Sequence, residues 1–198
     1  TYNTLKNNVE FGTGLLANKF TLDGRLSRLS SDGYINRASS DLKSLYLSGA
    51  YYGSDEVLKF TLISGKEKTY QAWNGVPLSY INDDSLRTFN SYTYENETDN
   101  YWQDHYMMHY NKQLSATASF NLGLHYTKGR GYYEQYKKGE DFSDYGLNDV
   151  IVGSDTITST NLIRRKWLDN DFYGTVFSYQ NSIDNLDYTI GGGWNTYE

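Results

Sequence analysis

Between Ala116 and Thr127 the chain alternates two kinds of side chain: Ala116, Ala118, Phe120, Leu122, Leu124 and Tyr126 on one parity, and Thr117, Ser119, Asn121, His125 and Thr127 on the other. Successive residues of an extended strand point to opposite faces, so this stretch has one apolar and one wet face. A strand of about ten residues, tilted by about 45°, has the length needed to cross a bilayer core. No stretch of the chain approaches the roughly 18 apolar residues of a spanning helix. The recurring apolar faces must therefore either pack on one another or turn towards lipid.

The rhythm repeats along the chain. Val9, Phe11, Thr13 and Leu15 alternate with Asn8, Glu10, Gly12 and Gly14, and after a tight turn at Ala17, Asn18 and Lys19 the run Phe20, Leu22, Gly24, Leu26 answers them as a hairpin. A polar connection, Ser30 to Asp41, leads to a third strand with Leu45, Leu47, Gly49 and Tyr51 on one face. Gly53 to Asp55 turns the chain into a fourth strand, Val57 to Lys66. A long loop is expected from Glu67 to about Asn100, then a fifth strand from Tyr101 to Asn111 with Trp102, Tyr106, Met108 and Tyr110 on one face. The turn Lys112 to Ser115 opens the sixth strand. A second long loop is expected from Lys128 to about Lys166, followed by strands Trp167 to Gln180 and Leu186 to Trp194 around a turn at Asn181 to Asn185. Counted by the alternation template, there are roughly eight strands.

The connections are sorted. Every second one is short and every second one is longer, which in an up-and-down sheet puts all the long ones at the same end. Outer-membrane barrels have this asymmetry, with short turns on one side and long loops on the other. Composition agrees with an all-β reading: 21 Tyr and 4 Trp against a single Pro favour sheet over helix. Several rings, Tyr51, Tyr52, Trp102, Tyr110, Tyr126, Trp167, Tyr179 and Trp194, fall near strand ends, where interfacial girdles form; ordinary cross-strand packing would place them there too.

Charge and motifs exclude more than they assign. A net charge of −6 without a basic stripe argues against nucleic acid as a partner. Absence of Cys removes any thiolate site, and no serine lies in a G-x-S-x-G elbow. His105 and His109 share a strand face but stand about 13 Å apart at the usual rise, too far for one ion. Asp83, Asp84, Glu95, Glu97, Asp99 and Asp104 read as solvated loop charge, since their spacing does not follow a calcium loop. No metal, cofactor or catalytic constellation is expected, and the chain is not read as an enzyme. Tyr70, Trp73, Tyr92, Tyr94, Tyr132, Tyr133 and Tyr136 are the candidate ligand contacts, because flat amphipathic rings on outer loops stack on ligands; packing of the loops on one another is the competing explanation.

Four segments carry a more specific signal: Ser31-Asp-Gly-Tyr-Ile-Asn-Arg-Ala-Ser-Ser-Asp41, Gly65-Lys-Glu-Lys-Thr-Tyr-Gln-Ala-Trp-Asn-Gly-Val-Pro77, Glu95-Asn-Glu-Thr-Asp-Asn-Tyr101 and Leu162-Ile-Arg-Arg-Lys-Trp-Leu-Asp-Asn-Asp-Phe-Tyr173. Their wording resembles the barrel region of TonB-dependent outer-membrane receptors of Bacteroidetes type, over essentially the whole chain. The resemblance implies import of a scarce small nutrient across a bacterial outer membrane, with outer-membrane lipid around the wall and TonB acting through regions outside this chain. Such transporters have about 22 strands around a plug, so residues 1–198 are expected to be a partial barrel with no plug domain and no closing C-terminal strand. Both ends of the sequence read as cut. The rival is a soluble β-sandwich or lectin-like binding module with aromatic loops. Face chemistry separates the two: burial of Phe120, Leu122, Leu124, Tyr188 and Ile190 in a closed core would favour the sandwich.

Overall fold

The computed structural model describes residues 1–198. Eight strands form one antiparallel sheet in chain order: β1 (Leu5–Gly12), β2 (Phe20–Ser31), β3 (Ser40–Tyr52), β4 (Glu56–Tyr70), β5 (Thr98–Gln113), β6 (Ala118–Asp141), β9 (Ser159–Ile183) and β10 (Leu186–Tyr197). A small separate hairpin, β7 (Val150–Val152) and β8 (Asp155–Ile157), sits in the connection from β6 to β9. Each strand pairs with its sequence neighbour, and the sheet does not close: β1 and β10 each keep an unpaired edge. No helix is long and apolar enough to cross a membrane.

The short turns expected between β1 and β2, β3 and β4, β5 and β6, and β9 and β10 all lie at one end. Ala17 and Asn18 take left-handed conformations in the first of them, and Asp184 does so in the last. The longer connections, 32–39, 71–97 and 142–158, lie at the other.

The sorting holds, but several boundaries differ: β4 runs on through Tyr70 and β5 begins at Thr98, which shortens the first long loop to 71–97 and makes Tyr70 a strand residue. β1 stops at Gly12 instead of continuing to Leu15, and β9 runs to Ile183, which shortens the last turn to Asp184 and Asn185. The larger difference is the second long loop: most of 128–166 is strand, with β6 and β9 paired out to Asp141 and Ser159 across one irregularity between Lys137 and Glu140. Pairing continues there although the apolar–polar pattern has faded, because beyond an apolar band both faces of a ribbon are polar. Hydropathy alternation then disappears while the hydrogen-bond ladder persists.

Register assigns the faces. Leu22, Leu47, Leu58, Phe60, Leu62, Met108, Leu122, Leu124, Phe177 and Ile190 share one face. Aromatic pairs border this band: Phe20–Tyr51 and Tyr179–Tyr188 near the short turns, at 5.3 and 6.1 Å between centroids. Towards the long loops stand Tyr106–Tyr126 at 5.9 Å and Tyr173–Trp194 at 5.9 Å. Of the girdle candidates, Tyr52 falls on the opposite face, and Trp102 and Trp167 stand beyond the second border.

Burial is inverted relative to a water-soluble sheet. Leu26, Phe60, Leu124, Phe177, Ile190 and Trp194 are exposed, whereas Ser48, Thr61 and Thr127 on the polar face are buried. Only three hydrophobic residues, Ala50, Ala118 and Phe142, are buried at all, so there is no closed apolar core. None of the five residues that separate a wall from a sandwich is buried. The polar face also accommodates a ring at close range. A Cβ on Gly131 would come within 2.6 Å of Tyr101 Cδ2, so glycine there lets the Tyr101 ring lie across β6 while its hydroxyl donates to Asn170 Oδ1 at 3.2 Å.

Candidate ligand-binding site

The seven aromatic candidates all lie at the long-loop end, where β6 and β9 outrun β5. The last β5–β6 pair is Asp99 with Tyr133, so from Glu134 onward the β5-side edge of β6 has no strand partner. Unpaired edge groups that are shielded from water need partners, and the 71–97 loop supplies them. Gln71 Nε2 donates to the Glu134 carbonyl at 3.4 Å, and the Tyr136 N–H donates to Glu97 Oε2 at 3.4 Å. The Gln71 N–H donates to the Glu97 carbonyl at 2.8 Å, tying the two ends of the loop together.

A polar frame fixes the rest of the loop. Asn90 is buried; its amide donates to the carbonyls of Asn36 at 2.9 Å and Gln71 at 3.0 Å, and its side-chain oxygen accepts from the Tyr92 N–H at 3.0 Å. Arg37 donates to the carbonyls of Asn90 at 2.8 Å and Tyr92 at 2.6 Å, which stitches the β2–β3 connection to the β4–β5 loop. Glu134 is the anchor on the strand side: it accepts from Tyr94 Oη at 2.7 Å and from Arg165 Nε at 2.6 Å. Burial opposes ionisation of Glu134, but the Tyr94 hydrogen bond and the Arg165 charge outweigh it and hold the carboxyl below its ordinary range. At Glu97 burial dominates and pushes the carboxyl up, offset only in part by the Tyr136 N–H and the charge of Lys137.

This frame divides the candidates. Tyr70, Tyr94 and Tyr136 belong to its structure: Tyr70 Oη donates to the Tyr94 carbonyl at 2.7 Å, and the Tyr94 and Tyr136 rings are 6.0 Å apart. Tyr132 is a cross-strand partner of Trp167, with ring centroids 4.6 Å apart and the Arg165 guanidinium 4.7 Å from its ring. Tyr133, adjacent in sequence, takes the opposite face, where Trp73 meets it edge-on at 5.2 Å and Tyr92 meets Trp73 at 6.4 Å. Trp73, Tyr92 and Tyr133 are thus the three candidates brought together on the polar side of the wall, and Trp73 is 54% exposed. Tyr132, Tyr133 and Tyr136 are strand residues, not loop residues as expected, because β6 extends through them.

Glu134, Gln71, Asn90 and Arg37 were not among the sequence candidates. The one local hint is the order Tyr132, Glu134, Tyr136 opposite Trp167, Arg165, Ile163, a cross-strand pattern with a carboxylate facing a guanidinium. Glu97 departs from the reading of solvated loop charge, being only 3% exposed; Asp83, by contrast, is an exposed turn residue that accepts from the Ser85 N–H at 2.8 Å. His105 engages Thr127 Oγ1 at 2.8 Å, and no group of three His, Asp or Glu residues is placed to hold a metal ion.

No protein-family model matches the sequence, and no curated protein matches it. Solved structures do match. The sheet superimposes on the ferric-catecholate import receptor Fiu from Escherichia coli K12, in its closed form with a TM-score of 0.66 at 10% identity over 96% of this chain. The open form gives 0.68 at 10% identity over 98% of this chain. The fold is that of a stretch of antiparallel β-barrel wall. The chain spans 29% and 34% of the length of those two chains, and the open sheet is what such a share of a barrel wall would form.

Proposed function

We propose that this chain forms part of the barrel wall and outer loops of a TonB-dependent nutrient transporter of Bacteroidetes type in a bacterial outer membrane. The observation that carries the proposal is the inverted burial of the single sheet: Leu26, Phe60, Leu124, Phe177 and Ile190 of its apolar face are exposed while Ser48, Thr61 and Thr127 are buried. Water-soluble sheets place these groups the other way round. Sorted connections, the loop wording and the likeness to an import receptor support the same reading.

On this reading residues 1–198 are a partial barrel, and recognition of a small nutrient falls to the long-loop end. Trp73, Tyr92 and Tyr133 supply the inward-facing rings, backed by the rigid frame of Arg37, Asn90, Gln71 and Glu134. Coupling to TonB is assigned to parts of the transporter outside this stretch, and the wall has no chemical step to perform. A ferric-catecholate complex, the cargo named for the Escherichia coli receptor, is one ligand whose flat aromatic rings would suit such a surface.

The test is fractionation. The protein should partition with outer membranes and migrate differently in electrophoresis before and after heating, as closed barrels do. Recovery in the soluble periplasmic fraction would refute the reading.

A further inference from the structure

Beyond the apolar band, one register row crosses seven strands: Asn7, Arg28, Lys43, Lys66, Trp102, Arg130 and Asp169, each opposite the next. Its charges are balanced unequally. On β6 and β9, Arg130 stands 3.6 Å from Asp169, and Lys128 is held by Asp169 at 2.7 Å and Asp171 at 2.8 Å. On β2 to β4, four cations, Arg28, Lys43, Lys66 and Lys68, stand on this face with one carboxylate: Asp41 meets Arg28 at 3.0 Å and Lys43 at 3.6 Å and is in register with Lys68. Lys66 makes no ion pair, and Asp104 of β5, in register with Ser64, is the second carboxylate beside them. Lys66 Nζ instead lies 5.9 Å from the centre of the Trp102 ring.

A groove of about 450 Å³ opens at this unbalanced end. Arg28, Lys43 and Lys66 line it together with Val9, Leu26 and Leu45, which sit two residues nearer the short turns on the same face. The cations therefore lie at the loop-ward end of the groove and the aliphatic side chains at the bilayer-ward end. Arg28 and Lys43 are more than half exposed, so their charges are available.

We propose that this groove binds the phosphate headgroup of an anionic membrane lipid, with the lipid's acyl chain lying along Leu26, Leu45 and Val9. Charge complementarity selects the occupant: a net excess of two positive charges directly above an apolar slot fits a phosphomonoester that carries a hydrocarbon chain. A soluble anion would leave the slot unfilled, and a zwitterionic lipid would bring its own cation against Lys66. The inference rests on the membrane-wall reading.

The experiment titrates the full-length detergent-purified protein with phosphatidic acid and with phosphatidylcholine of identical chains, counting bound lipid by native mass spectrometry. At roughly fivefold in affinity per basic residue near a membrane surface, two uncompensated charges predict a preference of about 25-fold for phosphatidic acid. Arg28→Gln, Lys43→Gln and Lys66→Gln should each reduce that preference about fivefold, while Lys128→Gln, in the balanced stretch, should leave it unchanged. Equal binding of the two lipids by the unmodified protein, or displacement of phosphatidic acid by the same concentration of inorganic phosphate, would overturn the proposal. Quenching of tryptophan fluorescence by bromine-labelled phosphatidylcholine in vesicles reports membrane seating separately: seating without lipid preference refutes the groove alone, and absence of seating refutes the wall itself.

Discussion

Replacing Glu134 by alanine tests whether the long-loop end is a built frame or a loose loop. The side chain is 6% exposed and holds two partners, the Tyr94 hydroxyl and Arg165 Nε. A hydrogen bond to a charged group contributes about 1.5–3 kcal/mol. The Arg165 contact is discounted to about 1 kcal/mol or less because that side chain is 53% exposed and water screens it. The two contributions are not independent, so a local loss of about 2 kcal/mol is expected. If the 71–97 loop opens locally, amide hydrogen exchange there should quicken about 30-fold, at about 1.4 kcal/mol per factor of ten. Exchange in β3 and in the β5–β6 pairs near the short turns should stay the same. Glu134→Gln keeps an acceptor for Tyr94 but removes the charge, and should cost about 1 kcal/mol or roughly fivefold in exchange. Exchange in the loop unchanged from the parent in both variants would refute the anchoring role of Glu134.

The same loop should respond to acid in two opposed phases. Burial raises the Glu97 carboxyl, so its ionisation costs stability at neutral pH, and loop protection, corrected for intrinsic exchange, should improve as pH falls through that raised value. Glu134 is lowered, so its contribution is complete above the ordinary value of 4.5 and is lost as pH falls through the lower folded-state value; Glu97→Gln should remove the first phase and leave the second. On the wall, Leu124→Arg should destabilise the folded barrel by about 2–4 kcal/mol in urea titrations within lipid, whereas Asn121→Arg on the opposite face should be tolerated; equal costs would contradict the face assignment. At the rings, Trp73→Ala should raise the nutrient concentration for half-maximal uptake by about twofold to tenfold, and Tyr132→Ala, on the other face, should not change it.

What could be read in the sequence follows from where apolar and polar side chains alternate. Between Ala118 and Tyr126, or Leu58 and Leu62, one face is apolar and the other polar, so parity alone gave strand and face, while the register partners come from the hydrogen-bond ladder. Past Lys128 both faces of the β6–β9 ribbon are polar, and the alternation that identifies a strand is absent even though the ladder runs to Asp141. Alternation alone therefore reads Tyr132, Tyr133 and Tyr136 as loop residues. Splitting the seven candidates into Trp73, Tyr92 and Tyr133 on one side and frame residues elsewhere required tertiary contacts, because Tyr132 and Tyr133 differ only in which face they take. Gln71, Asn90 and Arg37 were invisible for another reason: each acts through backbone groups distant in sequence, such as Arg37 on the Tyr92 carbonyl, and no local spacing encodes that.

The central claim is that one face of this sheet meets lipid. The chain has no cysteine, so single cysteines can be introduced along β6, spin-labelled in the membrane-embedded protein and probed for collision with oxygen and with a water-soluble nickel chelate. Labels at Phe120, Leu122 and Leu124 should favour oxygen, and labels at Asn121, Gly123 and His125 should favour the chelate, alternating residue by residue. Labels at Phe120, Leu122 and Leu124 shielded from both reagents would mean a closed core, and would contradict the account.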